Sequence, residues 1–102
     1  MPRVTTDDAP NWIRQRLAFT TNGALAASYR GLDYVVTSYT NALAVVLPDG
    51  AIFYNDALYS KTTSHHQAIT RDGLQGPGIR VRYDNPAEFA AATGHHARLR
   101  TH

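Results

Sequence analysis

Apolar and polar positions alternate along residues 19–55 in short runs that turn-forming residues separate. The runs are rich in β-branched and aromatic side chains, which suit the pleated and half-buried surface of a strand. Chain reversals are predicted at residues 21–23, 31–33, 40–41 and 48–50, where Gly, Asn, Asp and Pro cluster. These successive reversals predict an antiparallel meander of about five strands.

Two details of this meander follow from its turns. Asn22-Gly23 is the strongest local signal, because this pair readily adopts the two positive φ angles of a type I′ hairpin turn. If the reversal at residues 40–41 keeps its register, the larger side chains around it share one face of the sheet. The larger set is Val35, Tyr39, Leu43, Val45 and Leu47, and the smaller set on the other face is Val36, Ser38, Ala42, Ala44 and Val46.

The pattern changes to that of a helix after the meander. Thr62 or Thr63 can accept hydrogen bonds from the free N–H groups of a first turn, as N-cap residues do. The segment that follows contains no Gly or Pro before Gly73, and Gly73 followed by Leu74 has the form of a helix stop. The sequence therefore predicts a helix over residues 63–72.

A further strand is predicted at residues 79–83, where apolar side chains alternate with Arg80 and Arg82. We expect an edge strand whose two arginines face water or a partner, since charged side chains on an edge also prevent strand-to-strand aggregation.

A second helix is predicted immediately after this strand. Asn85 has the properties of an N-cap, Pro86 suits the first helical position, and Glu88 stands where a capping box places an acidic residue. We expect a short helix that ends at Gly94 and docks through Phe89.

Composition limits the chain to one compact domain of 102 residues, 43% of them hydrophobic. The predicted fold class is α+β: an antiparallel meander of about five strands packed by one helix, with a C-terminal strand and short helix. Residues 1–12 and 95–102 are expected to be flexible ends. Within the first segment, the residues around Pro10 could start a short helix that carries Trp12 and Ile13, or the segment could simply lead into the first strand.

Cysteine content excludes several classes of function, whereas charge does not. The formal net charge of +2 neither excludes nor favours nucleic acid, because what matters is how the charges cluster. The absence of cysteine removes disulfides, thiol nucleophiles and thiolate metal sites. No apolar run approaches the ~18 residues of a membrane span, and the N-terminus lacks a signal-peptide core. We therefore expect a soluble chain in the cytoplasm, without a membrane partner.

Five histidines raise the question of a metal site. His65 and His66 are adjacent, so on a helix their side chains project about 100° apart, whereas zinc-binding histidines are four residues apart. No pair in the chain has that spacing, and neither a metal nor another cofactor is predicted. His65 is open to two interpretations, a functional residue or one that packs or caps the start of the helix.

A hydrolytic site could be assembled from Ser60 or Ser64, His65, and Asp56 or Asp72. No G-x-S-x-G turn is present, and serine beside histidine in sequence does not establish the geometry of a nucleophile and its base. An enzyme is therefore the third-ranked class of function.

Binding is the better supported class. Three pairs of arginines stand two residues apart, at positions 14 and 16, 80 and 82, and 98 and 100. Beside exposed tyrosines they would suit a phosphate-contact and stacking surface for single strands, although a surface of tyrosine and arginine suits a protein partner equally. Nucleic acid is a possible partner, and a protein is the favoured one.

Half of the chain, residues 19–71, resembles a family of small uncharacterised bacteriophage proteins. The resemblance lies in "FTTNGALAASY", "DYVVTSYTNALAVV", "PDG" and "YSKTTSHHQ", in that order and spacing. The last segment is the most specific, since the family pattern there is "YS-x-TTS-K/R-HQ". His65 stands in place of the basic residue, which makes His66-Gln67 the matching pair. Asn41 departs from the threonine expected in the strand pair.

The resemblance implies a phage accessory protein that acts in the cytoplasm of the infected bacterium, with no established activity to carry over. We expect non-enzymatic binding to a host protein that alters a host process, with nucleic-acid regulation as the first alternative and a small hydrolase as the second. A homodimer through the edge strand 79–83 is possible. The candidate binding residues are Tyr59, Lys61, Thr62, Thr63, Ser64, His65, His66, Arg80 and Arg82.

Overall fold

A computed structural model describes the backbone of residues 1–100 and the side chains of residues 1–94. In chain order the elements are α1 (Ala9–Arg14), β1 (Phe19–Thr20), β2 (Leu25–Arg30), β3 (Asp33–Ser38), β4 (Asn41–Val46), β5 (Ile52–Asn55), α2 (Lys61–Gly73), β6 (Arg80–Tyr83) and α3 (Pro86–Arg100). The fold is α+β, as the sequence predicts.

The strands form one sheet in the order β1-β2-β3-β4-β5-β6. Strands β1 to β5 pair antiparallel in succession, which confirms the predicted meander. β6 lies parallel to β5, because the chain crosses over through α2 between these two strands. β6 is therefore an edge strand, as predicted.

The opposite edge of the sheet is extended by the first residues of the chain. The N–H of Val4 donates to the carbonyl of Thr20 at 2.8 Å, and the N–H of Thr20 donates to the carbonyl of Pro2 at 2.8 Å. The short helix α1 follows and buries Ile13 completely. Of the two interpretations of this segment, the structure has the short helix.

Helices α1 and α2 cover one face of the sheet, and their close packing depends on Gly73. A Cβ atom at Gly73 would lie 2.7 Å from Cβ of Ile13 and 2.8 Å from the carbonyl oxygen of Pro10. The prediction that Gly73 follows the helix is wrong, since Gly73 is its last residue and Leu74 caps it with a negative φ. Glycine is needed at this position because α1 approaches α2 closely there, and not because the backbone has a positive φ angle.

The start of α2 also differs from the prediction. The helix begins at Lys61, and its N-cap is Ser60, whose Oγ accepts a hydrogen bond from the N–H of Thr63 at 3.3 Å. Neither Thr62 nor Thr63 has this role. The hydroxyl of Thr63 is instead buried against the sheet.

The predicted faces of the sheet are partly wrong, because β4 contains a β-bulge at Leu43. Val36 pairs with Ala44 and Thr37 pairs with Ala42, so that Leu43 is an extra residue in β4. Consequently Ala42 packs on the face of the sheet that carries Val35, whereas Ala44 packs on the opposite face. Tyr39 leaves the sheet as an exposed turn residue with a φ of 56°.

The Asn22-Gly23 prediction is also wrong in detail. Neither residue has a positive φ, so the connection is not a type I′ turn. The loop spans residues 21–24 and is closed by Thr21, whose hydroxyl donates to the carbonyl of Leu25 at 2.8 Å. A wider loop needs no left-handed residue pair.

Helix α3 lies on the other face of the sheet and begins as predicted. Oδ1 of Asn85 accepts hydrogen bonds from the N–H groups of Ala87 and Glu88, at 2.8 and 3.4 Å. Phe89 is buried against β5 and β6, as expected. The helix continues through Gly94 to Arg100, so its predicted end is wrong; glycine in a helix costs about 1 kcal/mol but does not stop it. The side chains of residues 95–100 and the whole of residues 101–102 lie outside the described part of the chain. The predicted flexibility of residues 95–102 therefore stays a prediction.

Candidate functional site

The segment 59–67 folds into the start of α2, and three of its polar side chains, Thr63, His66 and Gln67, are buried. Thr63 and His66 are buried there against Ser38 of β3. Oγ of Ser38 lies 2.7 Å from Nδ1 of His66 and 3.4 Å from Oγ1 of Thr63. The hydroxyl of Thr70 donates to the carbonyl of His66 at 2.7 Å, one turn further along.

Of the hydroxyl groups in this segment, Ser60 caps the helix and Thr63 belongs to the buried cluster, whereas Thr62 and Ser64 are exposed. A buried polar side chain needs hydrogen-bond partners, and here the side chains supply them to each other. Burial lowers the pKa of His66, and the neighbouring His65 lowers it further. His66 is therefore neutral near pH 7, which suits a hydrogen bond to Ser38 in this buried position.

Ser38 and His66 do not form a hydrolytic site in this structure. The Ser38 side chain is fully buried, so its hydroxyl cannot reach a substrate from solvent. Ser64 and His65, which the sequence offers as nucleophile and base, are exposed neighbours on α2, and on a helix such neighbours project apart.

A second chain of hydrogen bonds joins α2 to the loop after β5 and ends at Tyr59. Nε2 of Gln67 donates to the carbonyls of Asn55 and Ala57, at 2.8 and 3.1 Å. The side chain of Asn55 donates to the carbonyl of Ala42 and to the hydroxyl of Tyr59, both at 3.0 Å. Its Oδ1 accepts from the N–H of Ala57 at 3.2 Å. The half-buried Tyr59 is thus held in a fixed position.

Tyr59 stands at one end of a cavity of about 450 Å³ between the sheet and α3, hereafter the groove. Its floor is the sheet face opposite α2, formed by Val35, Ala42 and Val45, and its wall is the α3 surface formed by Pro86, Phe89, Ala90, Thr93 and Gly94. The volume lies within the range of ligand-binding pockets, and a largely apolar lining with a few polar groups is typical of them.

The two ends of the groove carry different polar groups. Thr40 and Asn41, at the turn between β3 and β4, share one end with Tyr59. Arg30 and Asp33 line the groove from the turn between β2 and β3, where they are directly paired across the two strands. Because β3 runs from one turn to the other, the groove follows the length of this strand.

The other predicted residues of the segment lie outside the groove. Lys61, Thr62, Ser64 and His65 are exposed on α2, and none of them lines the cavity. The segment therefore divides into exposed positions, positions buried under α2, and Tyr59 in the groove. Of the predicted binding residues, Tyr59 alone lines the groove.

Arg80 and Arg82 have contacts within the protein. Arg80 donates to the carbonyls of Leu74 and Gly78, and so helps to cap the end of α2. Nε of Arg82 lies 3.5 Å from a carboxylate oxygen of Asp56, and its guanidinium stands 5.9 Å from the centre of the Tyr54 ring. Arg82 is largely exposed, whereas Arg80 is half-buried. These contacts explain both arginines without a phosphate ligand.

Asp56 connects β6 to α2. Its other oxygen lies 3.7 Å from Nη1 of Arg71 on α2, so one carboxylate neutralises arginines from two elements. That oxygen is buried and forms no hydrogen bond within the described residues. Asp56 therefore belongs to a structural ion pair and not to a triad with Ser60 or Ser64.

No family model, curated protein or solved structure matches the chain. Within the described residues, no three histidine, cysteine, aspartate or glutamate side chains are grouped so that they could hold a metal ion. His95, His96 and His102 lie outside the described side chains. None of the described helices is long and apolar enough to cross a membrane.

Sequence reasoning missed most of the groove. Asn55 stands at a strand end and Gln67 in the middle of a helix, and neither position shows from the sequence that the two side chains fix Tyr59. Gln67 belongs to the predicted site segment 59–67, but it was not among the candidate binding residues. Phe89 was predicted to dock the second helix, but the cavity that α3 leaves beside Phe89 was not predicted.

Proposed function

We propose that this chain is a non-enzymatic binding protein and that the groove receives a segment of a partner protein. The observation that carries this proposal is the cavity of about 450 Å³ with an apolar floor, an apolar wall and polar ends. The family resemblance adds the biological setting to the proposal: a phage accessory protein whose partner is a protein of the bacterial host.

The groove can be blocked without disturbing the core. Ala90 lines the groove from α3 and is exposed, so Ala90→Arg places a long side chain across the cavity without displacing buried atoms. Ala87 is exposed on the same helix and does not line the groove. Ala87→Arg is therefore a matched control with the same change in charge and helix propensity.

A displayed library of random peptides, panned against the immobilised protein, tests the proposal. We expect peptides with bulky apolar side chains to be enriched on the wild type and on Ala87→Arg but not on Ala90→Arg. No enrichment on the wild type, or equal recovery on Ala90→Arg, would contradict a peptide site in the groove.

Affinity purification from bacterial lysate tests the host partner. The expected partner is a protein retained by the wild type and by Ala87→Arg, lost with Ala90→Arg, and unaffected by nuclease. A partner removed by nuclease, with retention that falls steeply with salt and with Arg80→Ala plus Arg82→Ala, would favour the nucleic-acid alternative instead.

A further inference from the structure

The orientation of the Asn55 amide is determined by its neighbours. The N–H of Ala57 requires an acceptor, which is Oδ1 of Asn55, and the carbonyl of Ala42 requires a donor, which is Nδ2. A flipped amide would set two donors against each other at Ala57 and two acceptors at Ala42. Nδ2 therefore also faces Tyr59, and the tyrosine hydroxyl is the acceptor of that hydrogen bond.

The proton of the Tyr59 hydroxyl must consequently point elsewhere. A tyrosine hydroxyl has one proton to donate, and no acceptor for it is present among the side chains and backbone that the structure describes. The ring is half-buried and lines the groove. Tyr59 is thus a donor held in place beside the apolar floor, with no acceptor for its proton among the described residues.

The chemistry of the groove indicates what would accept this hydrogen bond. Thr40 and Asn41, at the same end, carry both donors and acceptors. Arg30 and Asp33 line the groove with charges of opposite sign, so the groove does not present a single charge to a ligand. A neutral ligand with an apolar side group and alternating donors and acceptors fits these surroundings, and a peptide main chain has this chemistry.

We infer that Tyr59 determines the specificity of the groove by donating a hydrogen bond to a main-chain carbonyl of an extended peptide whose apolar side chain occupies the groove. This inference rests on the proposed function, since it assumes that a peptide segment is the ligand. Gln67 and Asn55 are positioning residues in this account, because Gln67 fixes the loop and Asn55 holds the Tyr59 hydroxyl.

The test uses a peptide recovered on the wild type and a series in which each peptide bond in turn is replaced by an alkene, which removes one carbonyl. We expect one alkene peptide to bind the wild type about five- to tenfold more weakly, the effect of one lost hydrogen bond. The same alkene replacement should not weaken binding of the peptide to the Tyr59→Phe variant. Tyr39→Phe, at an exposed turn outside the groove, should retain the wild-type pattern.

The outcomes separate the inference from the proposed function. If binding is lost with Ala90→Arg but no carbonyl replacement depends on Tyr59, the inference is wrong and the groove remains the peptide site. If, in contrast, the peptides bind Ala90→Arg as well as they bind the wild type, the proposed function is wrong. The alkene series on the wild type needs no substitution in the protein, so a folding defect in Tyr59→Phe could not hide a negative result.

Discussion

The sheet face under α1 and α2 and the face beside α3 are made by the same strands but are filled differently. Among the described residues, the first face buries a continuous cluster that runs from Ala9 to Leu74, in which Tyr34 and Phe19 are the largest fully buried side chains. The second face has a smaller cluster around Phe53 and Phe89, next to the groove. Close packing on one face lets the other keep a cavity, because folding does not depend on filling it.

Polar side chains differ between the faces in the same way. Under α2 the polar groups form hydrogen bonds with each other or with the backbone; these groups belong to Ser38, Thr63, His66 and Thr70. In the groove the Tyr59 proton has no acceptor within the described residues. Satisfied polar groups stabilise a fold, whereas a pre-positioned donor without a partner is a feature of binding sites.

The largest expected effect is at the contact between α1 and α2. We expect Gly73→Ala to lower the free energy of unfolding by about 2 to 3 kcal/mol, because the added methyl meets Ile13 and the rigid backbone of Pro10. Gly23→Ala adds the same methyl where the nearest atom is 3.9 Å away and should have a much smaller effect. Urea denaturation of both variants measures the difference, and equal losses would contradict the close contact.

Val36 and Val35 provide a direct comparison of the two faces. They are neighbours in β3, both buried, and they pack in different clusters. We expect Val36→Ala to cost about 2 kcal/mol of stability and Val35→Ala about 1 kcal/mol, because a deletion beside an existing cavity removes fewer contacts. Denaturant midpoints of the two variants are the measurement. A larger loss for Val35→Ala would mean that the groove face is the better packed one.

The buried cluster under α2 predicts a pH dependence. His66 binds its proton more weakly in the folded chain than at its usual pKa of 6.5 in the unfolded chain. Its contribution to stability is therefore complete above that pH and is lost as the pH falls and the unfolded chain takes up the proton.

Unfolding free energies at about pH 7.5 and about pH 5.5, on either side of the histidine pKa, test this expectation. His66→Gln should lose less stability on acidification than the wild type does. His65→Gln, at an exposed neighbouring position, should keep most of the wild-type pH dependence. If the two variants respond alike, His66 is not the titrating group.

The smallest expected effect on stability is in the groove. Ala90→Arg and Ala87→Arg change exposed positions of α3 and should each alter the free energy of unfolding by less than about 0.5 kcal/mol. Thermal denaturation checks this expectation. A clear loss for Ala90→Arg alone would mean that the cavity contributes to folding, which would weaken the contrast between the two faces.

The sequence was sufficient for the meander, the helix after it, the edge strand and the Asn85 cap, because each depends on local turn chemistry or alternation. It was not sufficient for the bulge at Leu43, which depends on how β3 and β4 pair. Gly73 has the local sequence of a helix stop, but its role is set by Ile13, far away in the chain. The groove could not be predicted, since it depends on where α3 crosses the sheet.

The central claim is that a peptide binds on the face beside α3 and not on the face under α1 and α2. Methyl NMR spectra of alanine- and valine-labelled protein, recorded with and without a peptide selected on the wild type, test this claim most directly. We predict that the signals of Val35, Val45, Ala42 and Ala90 shift, while those of Val36, Val46 and Ala44 stay unchanged. Shifts confined to the second group, or absent from the first, would contradict the account.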